Sequence, residues 1–220
     1  APRFRNHRSM PMAIQSLPLI IEPADLVPLL EEPDLLIVDL CQRPVFEQVH
    51  LPGAVHVNPA ELVSGVPPAT GKLPEAAKLA ALFSRIGLSD EKFVVAYDDE
   101  GGGWAGRFLW TLDVIGHSRH AYLNGGIHAW LAGSHPVQQE IVPPTATAYE
   151  PTIDRRYLAT LDEIIAGLGK DEFVVWDARS AEEYHGTRQG ARRNGHIPGA
   201  VNLDWLETMD RNNHLRLLPL

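Results

Sequence analysis

The sequence predicts an α/β fold, a parallel sheet flanked by helices, present once as a complete domain and once as the first half of a second copy. Three observations carry this. Apolar runs of strand length alternate with segments of helical period from Leu35 to Leu131. An apolar run ending in Asp and followed by His-x-Pro-Gly occurs twice. Between the two copies, Ser134 to Pro151 holds prolines at 136, 143, 144 and 151 and no glycine, the composition of an extended linker.

The first copy opens with Leu35-Leu36-Ile37-Val38-Asp39, a buried strand reaching a polar edge, and turns at His50-Leu51-Pro52-Gly53 into a short strand at Ala54-Val55. Pro fixes one backbone angle of that turn and Gly supplies the permissive one. Pro74 to Ile86 places Ala76, Leu79, Leu82, Phe83 and Ile86 on one helical face, stopped by Gly87. Phe93 to Tyr97 reads as a strand, Trp104 to Ile115 as a helix and Ala121 to Leu123 as a short strand. Gly125-Gly126 leads into a last helix around Ala129 to Leu131. The second copy begins with the capping-box pattern Thr160-Leu161-Asp162-Glu163 and a helix ending near Gly167 to Gly169. Its strand is Phe173 to Asp177 and its turn His196-Ile197-Pro198-Gly199. Asp39 and Gly53 lie 14 residues apart and Asp177 and Gly199 lie 22 apart, so the second copy holds extra residues in the basic loop Gly186 to Gly195. Half a domain leaves a parallel sheet without its central strands, and 160–220 is not expected to fold well alone.

Composition bounds the function. With 220 residues, 45% hydrophobic and 21% charged, the chain suits an ordinary globular protein. A net charge of −9 with dispersed acids argues against nucleic acid as a partner, and Ile14 to Ile21 is too short and interrupted to span a membrane. The basic run Arg3, Arg5, His7 and Arg8 reads as a vector-derived or disordered arm over residues 1–15. The single cysteine, Cys41, rules out an internal disulfide and fits a reducing compartment, so a cytoplasmic location is expected.

Several residues invite sharper readings. Cys41 follows the first strand by two residues with no obvious thiolate stabiliser beyond Arg43, so a structural role is the better reading. Asp98, Asp99 and Glu100 could suggest a cation site, but adjacent carboxylates rarely converge on one ion, and helix capping or lining a cleft is expected instead. Gly101-Gly102-Gly103 lacks the Lys-Ser/Thr of a phosphate loop. His117 and His120 read as turn or surface histidines, and Trp104 and Trp110 as packing residues, with Trp104 also a candidate for the cleft between domains. No metal or organic cofactor is implied.

These landmarks resemble the tandem-domain rhodanese family, the thiosulfate and 3-mercaptopyruvate sulfurtransferases, and more the bacterial members. The motifs are Val38-Asp39 with His50-Leu51-Pro52-Gly53-Ala54, the loop Tyr97-Asp98-Asp99-Glu100-Gly101-Gly102-Gly103-Trp104-Ala105-Gly106-Arg107, and Leu123-Asn124-Gly125-Gly126. The second copy adds Trp176-Asp177-Ala178-Arg179-Ser180 and Gly195-His196-Ile197-Pro198-Gly199-Ala200-Val201-Asn202. The resemblance implies a rhodanese-like domain over 16–133, a linker over 134–151 and the N-terminal half of the catalytic domain over 152–220. It implies an enzyme that moves sulfane sulfur from a small anionic donor, thiosulfate or 3-mercaptopyruvate, to cyanide or another thiophilic acceptor through a cysteine persulfide. Counting back from Gly106 puts Asp99 at the nucleophile's position in domain one, and a carboxylate cannot hold a persulfide, so that domain is expected to be silent. Carrying the separation of Gly53 and Asp99 onto Gly199 places the expected cysteine about 25 residues past Leu220. No catalytic residue is therefore expected within this chain, which alone is expected to be inactive. A second chain carrying the missing half-domain is an open alternative. Asp177, Arg179 and Glu183 would frame the cleft on one side, with Asp99, Trp104 and Arg107 opposite. Glu183 stands before Tyr184 where vertebrate-type members place an arginine, which leaves donor preference open. Two rivals stand beside this reading. One is a non-catalytic rhodanese-like binding or regulatory module. The other is a cysteine phosphatase, which the absence of any cysteine in Asp98 to Arg107 disfavours.

Overall fold

The strand Phe93–Tyr97, with every side chain buried, needs apolar cover on both faces, and the chain supplies it from both sides. The structure is a computed structural model that describes Ile14, residues 17–190 and residues 192–219. The basic arm read from the sequence lies outside the described residues, Ile14 apart. Five strands, β1 Ile20–Ile21, β2 Leu35–Asp39, β3 Val55–His56, β4 Phe93–Tyr97 and β5 His120–Leu123, form one parallel sheet in the order β1-β5-β4-β2-β3. The helices are α1 Pro23–Leu26, α2 Arg43–Gln48, α3 Ala76–Arg85, α4 Gly103–Val114 and α5 Gly126–Ala132.

Alternation along the strands sorts the core into two layers. On one face, Leu36, Val38, Val94 and Ala96 meet Leu79, Leu82 and Phe83 of α3 and Phe108 and Leu112 of α4. On the other, Ile37, Val95, Tyr97, Ala121 and Leu123 meet Phe46 of α2 and Ile127 and Trp130 of α5. Each such side chain contributes roughly 1.5–3 kcal/mol by leaving water. The helices expected over 74–86 and 104–115 are present within two residues of those ends, and the last begins three residues before Ala129. β1 and α1 were not legible, being too short to show a period.

The second unit contains α6 Leu161–Gly167, β6 Trp176–Asp177, α7 Ala181–His185 and β7 Val201–Asn202, followed by an antiparallel hairpin of β8 Met209–Asp210 and β9 Arg216–Leu217. The capping box forms as predicted: Thr160 Oγ1 accepts the Glu163 N–H at 3.2 Å, and Glu163 Oε2 accepts the Thr160 N–H at 2.7 Å. The strand expected over 173–177 pairs only at its last two residues, because β7 is its single neighbour among the described residues. Val174 and Trp176 stay exposed there, at 68% and 57%.

The proline-rich stretch is extended, as expected, but it is fastened along domain one. Gln138 and His50 exchange backbone hydrogen bonds at 2.9 and 3.0 Å. Further on, the N–H of Thr147 donates to the Ser84 carbonyl at 2.9 Å, and that of Tyr149 to Ser84 Oγ at 2.9 Å.

Candidate active-site region

At the carboxyl end of a parallel sheet, strand-to-helix loops collect backbone N–H groups, and β4 runs into such a loop. Asp98 is the first residue after the strand and is fully buried. Its Oδ1 accepts the N–H groups of Glu100, Gly101 and Gly102 at 3.2, 3.1 and 2.9 Å, and its Oδ2 accepts that of Ala105 at 2.9 Å. Gly101 and Gly102 hold φ of 98° and 102°, a left-handed path that aims successive N–H groups inward at little cost only for glycine. The nest at the start of α4 is thus filled by the protein's own carboxylate.

The carboxylate in the nest is Asp98, not Asp99 as the count back from Gly106 predicts. Neighbouring residues on a turn point opposite ways, and the Asp99 carboxylate instead accepts the Gln42 N–H at 3.3 Å. Glu100 turns back to accept the Trp104 N–H at 3.0 Å. Burial, with Asp98 close by, holds the Glu100 carboxyl above the usual range. The three acids diverge onto separate N–H groups rather than converging on an ion.

The end of β2 carries a second buried network. The Tyr97 hydroxyl donates to Asp39 Oδ2, and the Cys41 N–H donates to Asp39 Oδ1 at 2.7 Å. Burial raises the Asp39 carboxyl, though these hydrogen bonds oppose it. Cys41 is fully buried, and desolvation followed by the nearby Asp39 charge pushes its thiol far above the ordinary value. That environment suits a packing residue and not a nucleophile.

In the second unit the matching positions build a more open site. Arg179 reaches Asp177 with two hydrogen bonds, Nε to Oδ1 at 2.9 Å and Nη2 to Oδ2 at 2.6 Å, and Nη2 also donates to the Gly195 carbonyl at 2.8 Å. This pairing lowers the Asp177 carboxyl and raises Arg179. Ser180 caps α7, its Oγ accepting the Glu183 N–H at 3.3 Å, and the Glu183 carboxylate lies 3.9 Å from Arg188. Arg179, Glu183, Arg188 and Arg193 line a cavity of about 230 Å³. A neighbouring space of about 530 Å³ is lined by Asp177, Arg179, Arg193 and His196. Three guanidinium groups at one cavity can receive a small anion.

The structure therefore brings Asp177, Arg179 and Glu183 together, but places the opposite-wall trio elsewhere. Asp99, Trp104 and Arg107 line neither cavity. Arg107 is engaged within domain one. Its guanidinium donates to the Leu62 carbonyl from Nε at 3.2 Å and Nη2 at 2.9 Å, and to the Gly71 carbonyl at 2.9 Å. It also stacks over Trp110 at 4.6 Å, so it ties a surface loop to α4. Trp104 packs half-buried against the α3–α4 side of the core. Sequence reasoning missed Arg188 and Arg193 as individuals, although the basic character of their loop was the signal. It also missed that each turn histidine stacks on the aromatic of the preceding helix. The His50 and Phe46 rings lie 4.2 Å apart, and those of His196 and Tyr184 lie 3.7 Å apart.

A rhodanese-like domain model matches residues 22–133 and again 160–220, the two stretches that the repeated motifs delimit. The chain belongs to the rhodanese-like family. It is 45% identical over 202 residues to a thiosulfate sulfurtransferase of Azotobacter vinelandii, covering 92% of this chain and 74% of that protein. A thiosulfate sulfurtransferase of Pseudomonas aeruginosa is 45% identical over 201 residues, covering 91% and 74%. In fold the chain is similar to a 3-mercaptopyruvate sulfotransferase of Escherichia coli, with a TM-score of 0.79 and 21% identity over 87% of this chain and 77% of that one. Among the described residues, no helix is long and apolar enough to cross a membrane.

Proposed function

We propose that this rhodanese is a sulfurtransferase that moves sulfane sulfur from thiosulfate or 3-mercaptopyruvate to cyanide or another thiophilic acceptor. The observation that carries the reading is the nest at the end of β4, which converges four backbone N–H groups on one buried anion. In domain one that anion is the Asp98 carboxylate, which has no sulfur to exchange, so the domain is silent. The same strand–loop–helix in the second copy would offer its N–H groups to a cysteine thiolate, lowering its pKa and stabilising the persulfide. We place that cysteine beyond Leu220, as the two-copy spacing requires. Thiolate attack on the outer sulfur of thiosulfate forms an S–S bond as the original S–S bond breaks, and sulfite leaves with the electron pair. Cyanide then takes the outer sulfur, thiocyanate leaves, and the thiolate is restored.

The guanidinium groups of Arg188 and Arg193, with Arg179 held by Asp177, supply the cationic wall for the donor anion. Asp99 and Trp104 flank Gly101 and Gly103, which approach Met209 and Trp205 of the second unit. The −9 charge, with its acids dispersed, weighs against a nucleic-acid partner. Assay of the full-length protein with thiosulfate and cyanide tests the reading. Arg193→Ala is expected to raise the thiosulfate KM by about fivefold or more, a loss near 1 kcal/mol, with kcat little changed. An unchanged KM would remove Arg193 from the donor site.

A further inference from the structure

The Leu123-Asn124-Gly125-Gly126 motif takes no part in the chemistry proposed above, yet it sits at the contact between the two units. Asn124 follows β5 and is buried. Its Oδ1 accepts the N–H of Leu217 in β9 at 2.8 Å, and its Nδ2 donates to Glu22 Oε1 at 2.6 Å. The other Glu22 oxygen receives Arg216 Nε at 3.1 Å. Two adjacent hairpin residues are thus held by two domain-one side chains that are bonded to each other.

The glycines beside this chain let the hairpin approach. A Cβ on Gly125 would stand 2.7 Å from the His214 carbonyl oxygen and 3.0 Å from Arg216 Cγ. A Cβ on Gly101 would run into Met209 Sδ, and one on Gly103 would stand 3.1 Å from the Trp205 ring. The hairpin loop also carries two non-glycine residues in the left-handed region, His214 at φ 54° and Leu215 at φ 59°. Such conformations persist where surrounding contacts over-determine them. Asparagine is the residue type this position needs, because one end must accept a backbone N–H while the other donates to a carboxylate. Asp would lose the donor, and an apolar residue would leave the Leu217 N–H unsatisfied.

We infer that Asn124, Glu22 and Arg216 form an interdomain latch, positioning residues that fix the second unit's β8–β9 hairpin against the silent loop of domain one. The first domain thereby serves the reaction as a scaffold, holding one wall of the second unit at a set angle. The catalytic half of this inference rests on the sulfur-transfer reading, while the structural half does not.

The test uses the full-length protein and the variants Asn124→Ala, Arg216→Glu and the conservative Arg216→Lys. Amide hydrogen exchange at Leu217 and the kcat/KM of thiosulfate:cyanide transfer are both measured. Each disrupted latch is expected to speed Leu217 exchange at least tenfold. It is also expected to lower kcat/KM by about 5–30-fold. Arg216→Lys keeps the cation facing Glu22 and retains most of what Arg216→Glu loses in both readouts, a rescue that general destabilisation would not give. Unchanged exchange in Asn124→Ala and Arg216→Glu, or Arg216→Lys no better than Arg216→Glu, overturns the latch. Accelerated exchange with unchanged kcat/KM overturns its role in positioning. Accelerated exchange in a protein whose wild type transfers no sulfur supports the latch and overturns the functional reading instead.

Discussion

Asp98 and Asp39 are both buried carboxylates at strand ends, and they do opposite things because their partners differ. Asp98 accepts four backbone N–H groups, so its removal strips a cap and leaves several donors unsatisfied. Asp98→Ala is expected to cost about 2–4 kcal/mol in urea unfolding, with Asp98→Asn intermediate. A loss under half that would show water replacing the carboxylate at no cost. Asp39 has fewer donors, and burial raises its carboxyl above the ordinary 3.8. The folded state therefore holds this proton more tightly than the unfolded chain, so the group's contribution to stability is fully present below pH 3.8 and is lost as pH rises through the raised value. The stability deficit of Asp39→Asn relative to wild type is accordingly expected to shrink as pH rises above 3.8, and a constant deficit would contradict the assignment. Cys41 is buried and its thiol pushed upward, so Cys41→Ser is expected to retain sulfur transfer in the full-length protein. At this scale the sequence was only partly readable. Spacing from Gly106 could locate the acidic pair but not which member turns inward, because that depends on two consecutive left-handed glycines.

At the scale of elements, what was legible had a period or a cap. The buried run of β4, the apolar face of α3 and the Thr160–Glu163 box each state their structure in a single window of sequence. What was not legible depends on partners far along the chain. β1 is two residues long and exists through its pairing with β5, and the β8–β9 hairpin has two-residue strands around a loop with no glycine. The strap of residues 134–151 read as a linker because proline makes it extended, while its attachment depends on Ser84 and His50 of domain one. Cutting Ser84 out of that attachment is expected to loosen the strap selectively. Ser84→Ala removes the acceptor for the Tyr149 N–H and should raise protease cleavage within 139–150 severalfold, with the Thr147 bond to the Ser84 carbonyl kept. Cleavage at the wild-type rate would show that the strap is held elsewhere.

For the whole molecule, the doubled motif is what made the architecture readable. Two Asp-ended strands, each followed by His-x-Pro-Gly, gave two copies of one parallel unit, and the structure pairs β2 with β3 and β6 with β7 in the same parallel sense. The relation between the copies was not readable, since it lies in side chains such as Asn124, Met209 and Trp205 that meet only after both units fold. That relation gives domain one a place in the sulfur transfer we propose, as the support of the second unit. Its own anion nest is closed by Asp98, its thiol is buried, and its loop and motif residues receive the other unit.

We propose that the sulfur is carried by a cysteine beyond Leu220, while the site residues described above position or bind. The direct measurement is peptide mass spectrometry of the full-length protein after brief exposure to thiosulfate, with free thiols and persulfides trapped by alkylation. A gain of about 32 Da, one sulfur, is expected on a cysteine peptide C-terminal to Leu220 and none on the Cys41 peptide. The added sulfur on Cys41, or on no cysteine in a protein that still makes thiocyanate, would contradict it.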